Sequence, residues 1–219
     1  LNEVLSIPIA SVQATPVPAD GSIDQQVFDI VAQGYQDQFD LVWLDQVPFN
    51  NTQALAVTRA FAEERGVSTI SDLADIAGEL TIVAPSDFSE RADGALGLRD
   101  VYGLEFGEVL AVDPGIRYQA IEEDQAQVVL AFGTDGQVAG LDLVLLEDDQ
   151  ALWPPYHVAP VVRQATLDAY PDLADALNAV APLLTDEAMA ALNWQVDGPD
   201  RLEPAEVAEA FLTENGLIG

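Results

Sequence analysis

The chain has 219 residues, of which 49% are hydrophobic, so it can bury one large or two small cores and is predicted to be globular. It carries 38 acidic residues, seven arginines and no lysine, for a formal net charge of -31, which argues against nucleic acid or an anionic membrane surface as a partner. The absence of cysteine excludes disulfides, thiolate metal sites and cysteine nucleophiles.

The predicted elements begin with an extended stretch over residues 7–23, where prolines and a glycine interrupt small residues. A helix is predicted from Asp24, because apolar residues that include Val27, Val31 and Tyr35 share one helical face. The elements expected after it are, in order, the apolar segment 41–44, a helix at 52–65 ended by Gly66, a short helix from Ser71 to Gly78, a strand at 80–84, a helix, a strand at 109–112, a helix near 118–123, strands at 128–132, 141–146 and 157–162, and helices near 171–180, 186–192 and 204–214.

The alternation of strands and helices in the middle third predicts a mostly parallel α/β layer. No apolar run approaches the roughly 18 uncharged residues that a membrane-spanning helix needs. The apolar runs at 128–132 and 141–146 are therefore interpreted as buried strands. No signal peptide is visible from Leu1 onward, so an export signal is not part of this sequence.

The acidic composition has a second consequence. A surface with this much negative charge destabilises the compact state by self-repulsion unless salt screens the charges. Together with the lack of lysine, this favours a salt-adapted source organism, and an ordinary acidic exported protein is the alternative.

Five short motifs follow one another along the sequence. They are Pro48-Phe49-Asn50-Asn51-Thr52, Ser89-Glu90-Arg91-Ala92-Asp93-Gly94, Gly133-Thr134-Asp135-Gly136, Leu146-Glu147-Asp148-Asp149 and Trp153-Pro154-Pro155-Tyr156. In this order and spacing they resemble the substrate-binding proteins of osmoprotectant ABC transporters, which capture glycine betaine, carnitine, choline and related quaternary amines. The resemblance runs from about Leu41 to Gly219.

This resemblance implies an α/β fold of the two-lobed periplasmic-binding-protein type 2 class, with a ligand cleft between the lobes and a hinge of two chain crossings. The crossings are expected near 47–51 and 151–156. The first lobe is then expected to be discontinuous, formed by residues 1–49 and 153–219, and the second lobe to contain residues 51–149.

The resemblance also implies an incomplete N-terminus of the first lobe. Members of the family usually carry an earlier strand and helix and a Tyr-Thr-Gly-Thr stretch whose tyrosine helps to bind the ligand, and this stretch does not occur here. A fragment, a partner chain that supplies the missing part, and a naturally reduced first lobe are three explanations that the sequence leaves open.

An aromatic cage is the main feature that the resemblance implies for the ligand site. Ring faces attract a quaternary ammonium, which cannot donate or accept hydrogen bonds. Tyr156 matches one cage tyrosine, and Phe132 stands where another usually lies and retains its ring face. Gln53 replaces a third cage tyrosine, so the cage is weakened there.

The expected ligand site includes four further positions. Arg91 matches the residue that grips the ligand carboxylate through a charge-assisted fork. Asn51 matches a polar position of the cleft, and Thr134 is also expected to bind the ligand. Trp153 is expected either at the cleft rim or packed beneath the hinge.

Each of these residues also has a purely structural interpretation. Phe132 ends an apolar strand and is typical of a core residue. Tyr156 follows two prolines and could anchor a turn, while Arg91 in an acidic chain could be a surface ion-pair partner worth about 0 to 1 kcal/mol. Their place in the motif series favours the binding interpretation.

Catalysis and metal binding find little support. Asp148 and Asp149 lack the loop pattern of a calcium site. His157 is the only histidine and has no Gly-x-Ser-x-Gly elbow to pair with, and the lack of lysine excludes Schiff-base and Walker A chemistry. No metal or other cofactor is expected.

The sequence therefore predicts a non-enzymatic solute-binding component of an ABC importer. Its expected partners are a small osmolyte and a membrane permease, and its expected location is extracytoplasmic, either periplasmic or anchored at the cell surface. Betaine-like zwitterions rank above choline because Arg91 offers a carboxylate partner. A ligand-sensing receptor domain, a binding protein of altered specificity and a truncated lobe pair that no longer binds are the alternatives.

Overall fold

The computed structural model describes residues 22–219, with side chains from residue 25 onward. The described residues form two compact units. The first unit contains residues 22–48 and His157–Leu184, and the second contains Phe49–Tyr156 and Thr185–Gly219. Nearly all of the extended stretch predicted for residues 7–23 lies outside the described residues. The lobe boundaries inferred from the motifs stay a prediction.

The helices and strands are named here in chain order. They are α1 (Ser22–Phe39), β1 (Leu41–Trp43), β2 (Gln53–Thr58), α2 (Arg59–Arg65), β3 (Thr81–Ala84), α3 (Ala95–Tyr102), β4 (Glu108–Ala111), α4 (Arg117–Glu122), β5 (Val128–Phe132), α5 (Gly136–Gly140), β6 (Leu143–Leu145), β7 (Val161–Arg163), α6 (Gln164–Ala169), α7 (Leu173–Asn178), α8 (Asp186–Asp197) and α9 (Pro204–Glu214). None of the helices within residues 22–219 combines the length and apolarity needed to cross a membrane.

The first unit is built around α1 and a two-stranded antiparallel sheet of β1 and β7. The predicted helical face is confirmed: Val31 is buried, and the Tyr35 ring lies 5.4 Å from the Trp43 ring, centroid to centroid. Beyond the sheet, backbone hydrogen bonds from Leu44 to Pro160 and from Val47 to Val158 continue the antiparallel pairing. The strand predicted for 157–162 is regular only at its end, as β7.

The second unit contains a five-stranded sheet in the order β4-β3-β5-β2-β6. Strand β3 runs parallel to β4 and β5, but β2 runs antiparallel to both β5 and β6. The four strands predicted in the middle third, β3 to β6, therefore run in one direction, as a mostly parallel layer requires, and only β2 makes the sheet mixed. The reason is that β2 lies between β5 and β6, a non-local placement that the order of elements along the chain does not reveal.

The helix predicted for residues 52–65 is wrong in its first half. Gln53–Thr58 is strand β2, and only Arg59–Arg65 is helical, starting at Thr58, whose hydroxyl accepts a hydrogen bond from the Phe61 amide, and ending at Gly66 in the left-handed conformation. The alanines and leucine of β2 favour a helix by propensity. Pairing on both edges and complete burial of the middle of the strand override that preference.

The region from Ser71 to Gly78 also departs from the predicted single helix. It forms two short 3-10 turns, Ser71–Leu73 and Ala77–Glu79, and Ser71 does not cap them with its side chain. The turn before them is held by the Asp72 carboxylate, which accepts hydrogen bonds from the backbone amides of Ser68 and Thr69. Asp72 therefore closes the turn at residues 68–72, and the backbone after it forms only the two short 3-10 turns.

Strand β5 is buried on both faces of the sheet. On β5, Val128 and Leu130 point into one cluster, while Val129 and Ala131 point into the other, as the two-residue period of a strand requires. The strand predicted for 128–132 is confirmed with the same bounds. Burial on both sides explains why its sequence is a continuous apolar run.

Helix α8 packs against the short helix α5, and glycines permit the close approach. A Cβ atom added to Gly136 would lie 2.5 Å from the backbone nitrogen of Trp194 in α8. The same approach brings the Asn193 side chain within hydrogen-bond distance of the Thr134 carbonyl, at 2.7 Å. Residues 185–219 are thereby joined to the loop before α5.

We expect Gly136→Ala to destabilise the chain by about 1 to 3 kcal/mol, because the added methyl group overlaps backbone atoms that cannot move without shifting α8. Urea denaturation followed by circular dichroism measures the effect. Gly78→Ala is the matched control, since nothing lies within 4 Å of its added Cβ. Equal stability of the two variants would show that α8 does not pack closely on α5.

Candidate functional site

A cavity of about 470 Å³ lies in the second unit. Its lining includes five of the seven residues predicted to bind ligand, namely Asn51, Gln53, Arg91, Phe132 and Tyr156. The motif series therefore brought together residues that are up to 105 positions apart in sequence, as Asn51 and Tyr156 are. The cavity also contains charged residues that the motifs did not assign, Asp87, Asp93 and Arg117.

The end of the β2–β5 pair forms one wall of the cavity. Gln53 begins β2 and Phe132 ends β5, and the antiparallel register places these two residues directly opposite each other. Directly opposed residues in an antiparallel pair project to the same face of the sheet. The register thus explains why an amide and an aromatic ring share one wall.

Tyr156 is positioned by hydrogen bonds from the segment that precedes β2. Its backbone amide donates to Asn50 Oδ1 at 2.7 Å, and its carbonyl accepts from the Asn51 amide at 3.1 Å. The Thr52 hydroxyl donates to the Pro154 carbonyl at 2.7 Å. These bonds hold the backbone of Tyr156 beside the cavity, while its side chain stays largely exposed.

Arg91 forms a bidentate ion pair with Asp93 in the cavity lining. Its Nε donates to Asp93 Oδ1 at 2.8 Å and its NH2 to Asp93 Oδ2 at 2.6 Å, while NH1 lies 3.3 Å from Asp87 Oδ2. The Gln53 amide donates to the same Asp93 Oδ2 at 3.0 Å. The hydrogen bonds from Arg91 hold the pKa of Asp93 at about 2, below its usual 3.8, against a smaller opposing effect of burial.

A second charged pair joins Arg117 to Asp135. Arg117 NH2 donates to Asp135 Oδ2 at 2.5 Å and NH1 donates to the Pro114 carbonyl at 2.8 Å. The same Asp135 oxygen accepts from the Tyr118 hydroxyl at 2.5 Å and from the Phe132 amide at 2.9 Å. Burial, followed by the negative charge of Asp135, raises the pKa of Tyr118, so Tyr118 stays a neutral donor.

Asp135 therefore fixes the end of β5 where Phe132 enters the cavity lining. The Phe132 ring has the Arg117 guanidinium 5.8 Å from its centroid. Phe132 is neither a fully buried core residue nor a freely exposed ring, because it is half-buried between this cation and the cavity.

Thr134 and Trp153, the other two predicted binding residues, are not part of the described cavity lining. Thr134 is buried, and its hydroxyl donates to Asn51 Oδ1 at 2.8 Å, which orients the Asn51 side chain. Trp153 is packed in the core, and its indole N–H donates to the Asp93 carbonyl at 2.8 Å. Both support residues that do line the cavity.

The acidic pair at 148–149 has a structural role for Asp148. Its carboxylate accepts hydrogen bonds from the backbone amides of Leu152 and Trp153, at 2.9 and 2.8 Å, and from the Tyr102 hydroxyl. Among the residues that the structure describes, no cluster of three or more histidine, aspartate or glutamate side chains is arranged to hold a metal ion.

Sequence reasoning offered an ion pair as one interpretation of Arg91 without naming its partners, and it assigned no role to Arg117. Asp87 and Asp93 flank Arg91 at four residues before and two residues after, a spacing that signals local neutralisation. Arg117 has no comparable signal, since it belongs to none of the five motifs and its partner Asp135 is 18 positions away.

The sequence of this chain is similar to a known family and to individual members of known transport systems. The OpuAC family, described as the substrate binding domain of ABC-type glycine betaine transport systems, matches residues 12–214. The chain is 33% identical over 190 residues to the ergothioneine transport permease/ergothioneine binding protein EgtU of Helicobacter pylori, which covers 87% of this chain and 34% of that protein. It is 31% identical over 189 residues to the carnitine transport binding protein OpuCC of Listeria monocytogenes, which covers 86% of this chain and 61% of that protein.

A solved structure shows a similar fold along most of the chain. The crystal structure of a glycine betaine/carnitine/choline ABC transporter superposes with a TM-score of 0.84 at 31% identity, over 94% of this chain and 74% of that one. The chain spans less than two thirds of the length of the two relatives named above.

We expect Arg91→Met to raise the pKa of Asp93 from about 2 toward 3.8, because the guanidinium hydrogen bonds are the largest cause of the lowering. A lowered carboxyl pKa stabilises the folded state fully above the unfolded value and loses that effect as the pH falls from about 4 to about 2. Carbon-13 NMR titration of the Asp93 carboxyl measures the shift. Arg99→Met, which breaks only a surface pair with Asp100, is the control and leaves this pKa unchanged.

Proposed function

Because this chain belongs to the family of substrate-binding domains of ABC-type glycine betaine transport systems, we propose that it is the solute-binding component of an ABC importer. The family match confirms the resemblance drawn from the five motifs, and the structural match confirms the predicted α/β fold of type 2 periplasmic binding proteins. The proposed ligand is a small zwitterionic or quaternary-ammonium osmolyte of the glycine betaine type.

The observation that carries this proposal is the composition of the cavity lining. The rings of Phe132 and Tyr156 stand beside Arg91 and Asn51 around a space of about 470 Å³. Ring faces attract a methylated ammonium group, and a guanidinium attracts a carboxylate. One zwitterion of the betaine type presents both groups.

Arg91 retains donors for a ligand although it is paired. Of the five N–H groups of a guanidinium, three are directed to Asp87 and Asp93. The remaining two are the proposed donors to the ligand carboxylate. The two aspartates lower the net positive charge at this point, which favours a zwitterion over a simple anion.

Gln53 is the residue that narrows the choice of ligand. Its amide is engaged by Asp93 and does not present an aromatic face, so the cage has fewer rings than the resemblance implies for the family. A betaine-like zwitterion depends on its carboxylate contact as well as on the rings, and choline depends on the rings alone. We therefore rank zwitterions above choline.

In this role the chain delivers its ligand to a permease in the membrane and acts outside the cytoplasm. It binds and releases the solute without chemical change, as substrate-binding proteins of transporters do in general. The partner permease and the extracytoplasmic location belong to the proposal and rest on the family assignment.

Isothermal titration calorimetry in high-salt buffer, with glycine betaine, proline betaine, carnitine, choline and proline, tests the proposal. Saturable heat with at least one zwitterion is the expected result. High salt is chosen because the formal charge of -31 destabilises the folded chain when it is unscreened. Absence of binding across this panel, with folding verified by circular dichroism, would contradict the proposed ligand class.

We expect Arg91→Ala to weaken glycine betaine binding by about 10-fold or more, because a charge-assisted contact to the carboxylate is lost. Choline has no carboxylate, so its affinity should change by less than about 2-fold. Arg99→Ala removes the same charge from a surface pair and serves as the control. Equal losses for the two ligands would exclude the carboxylate role of Arg91.

A further inference from the structure

Arg117 is a second arginine of the cavity lining to which the sequence patterns assign no role. Only 9% of the residue is exposed, and its Nε is a buried donor without a hydrogen-bond partner among the described residues. A buried guanidinium with an unused donor is uncommon, because removing an N–H group from water without a partner costs free energy. Because Nε has almost no exposed surface, the donors available to a ligand are the second N–H groups of NH1 and NH2.

The two arginines differ in how fully they are neutralised. Arg91 lies against two carboxylates, Asp87 and Asp93, so that group has a formal charge of -1. Arg117 lies against one carboxylate, Asp135, so that pair is formally neutral. A ligand carboxylate therefore meets less negative charge at Arg117 than at Arg91.

The charge of Asp135 is also shared among other donors. The oxygen that Arg117 contacts accepts hydrogen bonds from the Tyr118 hydroxyl and the Phe132 amide as well. These donors stabilise the carboxylate independently of Arg117. The Arg117 guanidinium is consequently better able to attract a second anionic group than an arginine in an isolated pair.

Arg117 is also held in place before any ligand arrives. Its Cζ lies 4.8 Å from the Tyr118 ring centroid and 5.8 Å from the Phe132 ring centroid, and its NH1 donates to the Pro114 carbonyl. A side chain that is already ordered loses little conformational entropy on binding. Burial of the guanidinium strengthens its attraction for a carboxylate.

We propose that Arg117 joins Arg91 in binding the carboxylate of a zwitterionic ligand in this cavity and strengthens the preference for zwitterions over simple cations, an inference that rests on the proposed function. The Phe132 ring, a predicted wall of the cage, already has this cation beside it. A choline molecule at that ring meets the positive charge without compensation. A betaine compensates it with its own carboxylate.

Calorimetric titration of Arg117→Gln with glycine betaine and with choline tests the inference. The Kd for glycine betaine should rise by about 10-fold or more, and the Kd for choline should stay the same or fall, because an uncompensated positive charge is removed from beside the Phe132 ring. The ratio of the two Kd values is the decisive readout, because a purely structural role of Arg117 would weaken both ligands alike.

A second variant controls for the effect of an unpaired Asp135 carboxylate on binding. Arg117→Gln leaves Asp135 without its cation, so the double variant R117Q/D135N removes both charges of the pair. The zwitterion preference should still be weakened in the double variant if the carboxylate contacts Arg117 directly. Arg99→Gln, which removes an arginine from an exposed pair, is the matched control and should keep the wild-type ratio.

The outcomes separate this inference from the proposed function. If the wild-type chain binds glycine betaine and both Arg117 variants keep its Kd ratio, the role of Arg117 is wrong while the proposed function stands. If the folded wild-type chain binds neither glycine betaine nor choline, the proposed ligand class fails and the role of Arg117 fails with it.

Discussion

The antiparallel pairing of β2 with β5 is the constraint on which the candidate site depends. This pairing places Gln53 opposite Phe132, and β2 lies between the central strand β5 and the edge strand β6. Because side chains of a strand alternate between faces, a shift of one residue in this register would turn Phe132 away from the cavity. The burial of both faces of β5 stabilises the register, since any slip would also exchange the residues of the two cores.

Around this wall, the chain concentrates its scarce positive charge. Seven arginines are set against 38 acidic residues, yet two of the seven line a single cavity. Each is held by carboxylates from nearby loops, Arg91 by Asp87 and Asp93, and Arg117 by Asp135. The pairs keep the guanidinium groups oriented. Because Arg91 has two carboxylate partners and Arg117 has one, the local net charge differs between the two positions.

Several elements could be predicted because their signals are local. The apolar face of α1, the run of β5 and the proline that begins α9 all depend on neighbouring residues, and the structure confirms each. Strand β2 could not be predicted, because its alanines favour a helix and only pairing with two distant strands makes it extended. The five predicted binding residues in the cavity were reached through a family resemblance, because members of a family share tertiary structure, which the periodicity of one sequence does not reveal.

The sequence by itself determined the class of the protein: its charge argues against nucleic acid, its hydrophobic content provides a core, and its motif series leads to the family. Only the tertiary structure decided which side chains share the cavity and what already neutralises them. Arg117 and Asp135 are 18 positions apart, and Trp153 donates to the carbonyl of Asp93 across 60 positions. Such contacts depend on how strands and loops pack in space, and electrostatic interactions follow that distance rather than separation along the chain.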